Sequence, residues 1–239
     1  MEGKKMKKLL LGIVLLFGLS YADNSTIEQS AELNYGGKLY DKWFAVMPGA
    51  EKPTTTHKAY QGNNRKGNTT WRCKECHGWD YKGVNGAYAK GSHHSGIKGV
   101  DNYAGKSLSD IIKVITNDTH ALKDILGKKE IDALAVFISK GQVDSTSFID
   151  MKTKRVVGNQ IAGGKLFNGI CAGCHGVNGK KINFKEAPKE VYVGDATRSN
   201  PWETLHKIRF GHPGSAMTSL FVLPQQSQID ILSYIQDLK

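Results

Sequence analysis

A long hydrophobic run is missing from most of this chain. The one sustained run, residues 9–19, is 11 residues long, well short of the roughly 20 apolar residues that span a bilayer. It follows Lys4, Lys5, Lys7 and Lys8 and precedes Ser20-Tyr21-Ala22, a small-x-small cleavage pattern. Basic, apolar and small residues in that order read as a secretory signal peptide over residues 1–22, with Asp23 opening the mature chain. The mature chain is expected to be soluble and periplasmic, meeting a membrane only through partner complexes. An acidic excess is missing too. The formal charge is +11, and without residues 1–22 it is +8, of which residues 23–150 carry +2 and residues 151–239 carry +6. On an exported protein that balance points to an acidic partner or an anionic surface and away from nucleic acid.

Cysteine is scarce. The four present are Cys73, Cys76, Cys171 and Cys174. They fall in two runs, CKECH (73–77) and CAGCH (171–175), each with the C-x-x-C-H pattern of c-type haem attachment. Two thiols at this spacing can add to the two vinyl groups of one haem. The next residue, His77 or His175, then lies beneath the ring, where its imidazole can bind the iron. Other readings fit less well. Structural disulfides suit an exported chain but leave the histidine after each pair unexplained. A zinc site built from four cysteines sets its pairs about 15–20 residues apart, whereas 94 residues lie between Cys76 and Cys171. A thioredoxin-like redox pair does not ordinarily come twice with histidine following. The expected cofactors are two covalently bound haem c groups with their iron.

The two halves share an order of motifs. GGKLY (36–40) matches GGKLF (163–167), and Gly163, Phe167 and Cys171, spaced by fours, are predicted to share a helical face. QIDILSYIQDL (228–238) carries an apolar stripe at Ile229, Leu232 and Ile235. EIDALAVFISKG (130–141) places Leu134 and Phe137 at the spacing of Ile231 and Tyr234, with Gly141 as the expected C-terminal cap. Short helices are predicted at 107–116, capped by Ser107 or Ser109, and at 200–210, capped by Asn200 with Pro201 in the first position.

On these motifs the chain resembles a dihaem member of the class I cytochrome c family. The resemblance implies an all-α fold of two tandem domains, each a small helical bundle wrapped around one covalently attached haem. The first would span 23–141 and the second 159–239. Residues 142–158, which lack helical periodicity, read as the linker. One departure stands out: Tyr40 and Cys73 are 33 residues apart, whereas Phe167 and Cys171 are 4 apart. The extra length includes 47–70, rich in Gly, Pro, Thr and Asn, which reads as a long loop that has either a task or mobility. Trp71, Trp79 and Tyr81 flank the first C-x-x-C-H and are expected to pack against its haem.

Methionine is missing from 73–141, and the second half has one where it counts. NDTHALKD (117–124) aligns with GSAMTSLF (214–221), so His120 falls on Met217. His120 comes 43 residues after His77 and Met217 comes 42 after His175; each lies 17 residues before its closing-helix aromatic, Phe137 or Tyr234. In the family the sixth-ligand methionine occupies a loop before the closing helix. The resemblance therefore implies Met217 on the second iron, in a loop turned by Gly211, Pro213 and Gly214, with His212 a weaker rival and core packing the plainer role. The register assigns His120 to the first iron, with His93, His94 or a five-coordinate iron as alternatives. His57 and His206 read as surface residues.

A second imidazole leaves haem iron at a lower potential than a methionine sulfur does. The expected function is electron transfer from a dehydrogenase or quinol-oxidising complex to a terminal oxidase or reductase, running from a His/His haem to a His/Met haem. The partners would be redox proteins with an acidic docking face, and the chain would be no enzyme, with no catalytic residue. Two alternatives are a dihaem cytochrome c peroxidase and an electron-accepting subunit of a sulfur-compound oxidising enzyme docked through 47–70. The lack of a fifth cysteine disfavours thiosulfate chemistry that uses a thiolate ligand.

Overall fold

The computed structural model describes residues 24–62, 64–185, 188 and 190–239; residues 1–22, expected to be a signal peptide, lie outside them. Among the described residues every regular element is helical, and the β features are two isolated bridges, Gly83 to Lys98 and Ile149 to Val156. No described helix is long and apolar enough to cross a membrane. The first half contributes α1 (Asn24–Lys42), α2 (Cys73–His77), α3 (Leu108–Ile115) and α4 (Lys128–Val136), which widens into a π-turn at Phe137–Gly141. The second contributes α5 (Gln160–Leu166) with a π-turn at Phe167–Cys171, then α6 (Ala172–His175), α7 (Val193–Ser199), α8 (Pro201–Phe210) and α9 (Gln225–Asp237).

Glycine sets how these helices cross. A Cβ on Gly36 would sit 2.0 Å from the Ala133 carbonyl oxygen of α4, and one on Gly163 would sit 1.9 Å from that of Asp230 in α9. Backbones this close exclude any side chain. Each crossing seats an aromatic pair: Tyr40 and Phe137 with ring centroids 5.1 Å apart, and Phe167 and Tyr234 at 5.4 Å. The caps follow the sequence signals. Ser107 Oγ accepts from Asp110 N at 3.2 Å, and Asn200 Oδ1 accepts from Glu203 N at 3.3 Å. Gly141 differs from expectation. It ends a π-turn, the chain leaves it extended at Gln142, and an added Cβ would meet the Phe137 ring at 2.5 Å. Packing, not a left-handed cap, requires glycine there. The π-turn at 167–171 likewise takes Cys171 off the simple i, i+4 face.

Two cores form, and each borrows from the other half. The first holds Leu39, Tyr40, Trp43, Ile111, Leu134 and Phe137 together with Phe210 from α8. The second holds Phe167, Trp202, Ile231 and Leu232 together with Trp79 and Tyr88. Gly37 permits the crossing, since a Cβ there would meet the Phe210 ring at 2.4 Å. At this seam buried Asp41 pairs with Lys207 and Arg72. Segment 142–158 has no helix, as expected, yet it is packed: Val143, Phe148, Ile149 and Val156 are buried in the second core. Trp202 Nε1 donates to Ser145 Oγ at 3.0 Å.

Candidate functional site

The two C-x-x-C-H runs fold alike. Each is a short helix closed by a glycine at φ 81°, Gly78 or Gly176, a value at which other residues are strained. In both, the histidine carbonyl accepts a returning backbone N–H at 2.9 Å, from Gly83 to His77 and from Lys181 to His175. The four cysteines are free. Burial pushes the thiols of Cys73 and Cys76 up to about 12 and that of Cys171 up to about 11. None of these three is the low-pKa thiolate of a redox pair.

The first motif opens onto a cavity of about 340 Å³ whose lining includes Tyr40, Cys73, Val100, Ile111, Leu134 and Ile138. His77 and His120 face into it from opposite segments, with ring centroids 6.2 Å apart and planes 29° apart. His77 Nδ1–H donates to the Lys98 carbonyl at 2.6 Å, and His120 Nδ1–H donates to Asn117 Oδ1 at 3.0 Å. His77 therefore keeps Nε2 as a donor to metal, the arrangement in which a second partner fixes a ligand's tautomer; the His120 ring also meets the Val114 carbonyl. Burial lowers the His77 pKa to about 4 and lowers that of His120 as well, so both are in the neutral form that binds metal.

The other candidates of the first half lie elsewhere. His93 sits 3.1 Å from Glu75 and stacks on Tyr88 at 4.9 Å, and His94 Nδ1–H donates to the Tyr88 carbonyl at 3.1 Å. Glu75, inside the motif, is fully buried. Burial would raise its carboxyl, but the His93 bond and Lys74 outweigh that and hold it at about 2. Trp71, Trp79 and Tyr81 do not line the cavity. Trp79 belongs to the second core, under the ammonium groups of Lys74 and Lys207, and Tyr81 packs on Tyr40 and Phe137. His57 and His206, expected at the surface, are 8% and 1% exposed. Each occurs in a polar or basic stretch, so local composition hid its burial; the signal that could have found His206 is its place one turn before Phe210.

The second motif is more open. Cys171 is half-buried, Cys174 is exposed, and His175 is half-buried with its Nδ1 lacking a hydrogen-bond partner among the described residues. Met217 is half-buried in the loop after α8, its N–H donating to Ser215 Oγ at 3.2 Å. Gly211 at φ 77° turns that loop, and Ser219 Oγ–H, donating to the Arg209 carbonyl at 2.6 Å, pins it to α8. His212 in the same loop is exposed.

Residues 161–239 match the family model of cytochrome c. The second lobe is thus a cytochrome c domain, running from within α5 to the end of α9. A cytochrome c domain implies covalently bound haem c with its iron, and suggests electron transfer. A comparison with curated protein sequences returned no match.

Haem also fits the first lobe's donor set. Among the described residues no three His, Cys, Asp or Glu side chains converge on one point, so no third side chain of these types joins the His77–His120 pair. A porphyrin supplies four equatorial nitrogens. The two imidazole rings, with centroids 6.2 Å apart across the cavity, would serve as the protein's two donors to such a group's iron.

Proposed function

We propose that the chain is an exported dihaem c-type cytochrome that transfers electrons in the periplasm. The observation that carries this reading is the His77–His120 pair, set 6.2 Å apart across a largely apolar cavity beside a C-x-x-C-H motif, in a chain whose other such motif lies in a cytochrome c domain. Cys73 and Cys76 would hold one haem by thioether bonds, with His77 and His120 as axial donors. Cys171 and Cys174 would hold the other, with His175 and Met217. Bound there, each haem supplies a one-electron ferric–ferrous couple.

The residues set the order. His120 gives the first site the lower potential and Met217 gives the second the higher. Tyr40, Ile111 and Leu134 give the first site a largely apolar wall. The second motif, with Cys174 exposed, lies in the half of the chain that carries +6. That charge suits a brief, salt-sensitive encounter with an acidic acceptor. A second protein donor for each iron, His120 and Met217, would favour a carrier over a peroxidase.

The test is spectroscopy of the ferric protein with a redox titration. It should report one bis-imidazole site and one imidazole–thioether site of higher potential. His120→Ala should open the first site to cyanide or carbon monoxide. If only His93 or His94 variants do so, the ligand assignment falls; rapid peroxide turnover by the reduced protein would mark a peroxidase instead.

A further inference from the structure

The 47–70 insert distinguishes the first lobe from the second more than any other feature of the sequence, and one of its side chains reaches the loop that carries His120. We propose that it is a strap that positions the His120 loop, with His57 as the positioning residue; the proposal rests on His120 being an axial donor. His57 is buried inside the insert. Ala59 N–H donates to its Nδ1 at 3.1 Å, which leaves the ring proton on Nε2. That Nε2–H donates to the His120 carbonyl at 2.7 Å.

The other side of the strap is tied next to the haem-attachment motif. His57 N–H donates to Thr70 Oγ1 at 2.8 Å, and Thr70 Oγ1–H donates to the Gly67 carbonyl at 2.7 Å. The imidazole meets the Trp71 ring edge-on at 4.5 Å, and the Trp71 indole N–H donates to the Thr55 carbonyl at 2.8 Å. Trp71 is two residues before Cys73, and its carbonyl accepts from Trp43 Nε1 at 2.9 Å. Contacts thus run from the Cys73 side of the cavity through Trp71 and His57 to the loop bearing His120 on the other side.

That loop is tied to α3 by Asn117 N–H donating to the Val114 carbonyl at 3.3 Å. The bonds that 117–121 makes with itself are local, from His120 N–H and Ala121 N–H to the Asn117 carbonyl at 3.2 and 3.3 Å. Ala121 stands at φ 52°, a left-handed conformation that residues other than glycine adopt at a cost. The second lobe has no insert. Its Met217 loop is fastened to α8 through Ser219 to Arg209, and through Leu220 N–H to the Ile208 carbonyl at 2.9 Å. The first lobe reaches the same end with a separate segment.

The experiment uses the full mature protein with haem in both motifs and measures cyanide binding to each ferric site. His57→Ala should raise cyanide affinity at the first site about three- to tenfold, the range of one hydrogen bond, and leave the second site unchanged. His57→Gln, whose amide N–H can reach the same carbonyl, should stay near wild type. Should the alanine variant fail to mature, His57→Phe keeps the ring, removes the donor and carries the same comparison against glutamine. Wild-type cyanide binding in the donor-free variants, with His120→Ala open, overturns the strap and leaves the ligand reading standing. A glutamine variant as open as alanine also overturns it. A closed His120→Ala protein removes the ligand assignment and the strap together.

Discussion

His206 of α8 donates from Nε2 to the Gly37 carbonyl of α1 at 2.9 Å, joining residues 169 apart in the chain. Its Nδ1 accepts from the Tyr81 hydroxyl at 3.1 Å, so the ring is held as a neutral bridge between the lobes. Burial pushes its pKa down to about 3; nearby Asp41 opposes that, while Lys207 and Arg209 add to it.

A pH dependence follows. An unfolded histidine takes its proton near 6.5, and the folded site refuses it until about 3. Between those values the unfolded chain binds more protons, so stability falls as pH drops through that window and is flat above it on this account. The loss should be on the order of a few kcal/mol for a fully buried ring. Denaturant unfolding at several pH values checks this: His206→Gln should show a shallower slope between pH 6.5 and 3 than wild type.

Asp41 sits between Arg72 and Lys207 with no exposed surface. Burial alone would raise its carboxyl, but Lys207 and Arg72 outweigh it and hold it well below the usual range. Asp41→Asn leaves two cations facing a neutral amide and should cost about 3–5 kcal/mol. Pairing it with Lys207→Met should recover part of that loss in urea titrations.

The glycine crossings give a matched test. Gly36→Ala and Gly163→Ala drive a methyl into a backbone carbonyl and should each destabilise by about 1–3 kcal/mol or more. Gly169 has open space where its Cβ would be, so Gly169→Ala should be neutral or gain up to about 1 kcal/mol. Thermal melts of the three variants separate these outcomes.

Met217→His should lower the potential of the second site and leave the first where it was, because a second imidazole favours ferric iron. A redox titration reads both sites at once. A fall at the first site would mean the two ligand sets are exchanged.

Much of the repeat was legible in the sequence because it is written in residue identity. Gly36 and Gly163, Tyr40 and Phe167, Leu134 and Ile231 keep their spacing, and the helices they seat are the ones found. The α7 helix was not anticipated, since VGDATRS has no apolar periodicity, and neither were the π-turns, which depend on packing. The seam was hidden for a different reason. Lys207, His206 and Arg209 look like a solvated face, and only the tertiary approach of α1 turns them inward. His57 was obscured in the same way: nothing local to TTTHKAY says that its ring will meet a backbone carbonyl 63 residues on.

The exchange of Phe210 for Trp79 and Tyr88 between the cores bears on how the chain can be divided. Were the halves cut within 142–158 and then drawn apart, each would leave a large aromatic gap in the other and expose its own aromatic to water. Neither half is then an autonomous module that could be shuffled into another chain, and melting should proceed as one event, not as two successive ones.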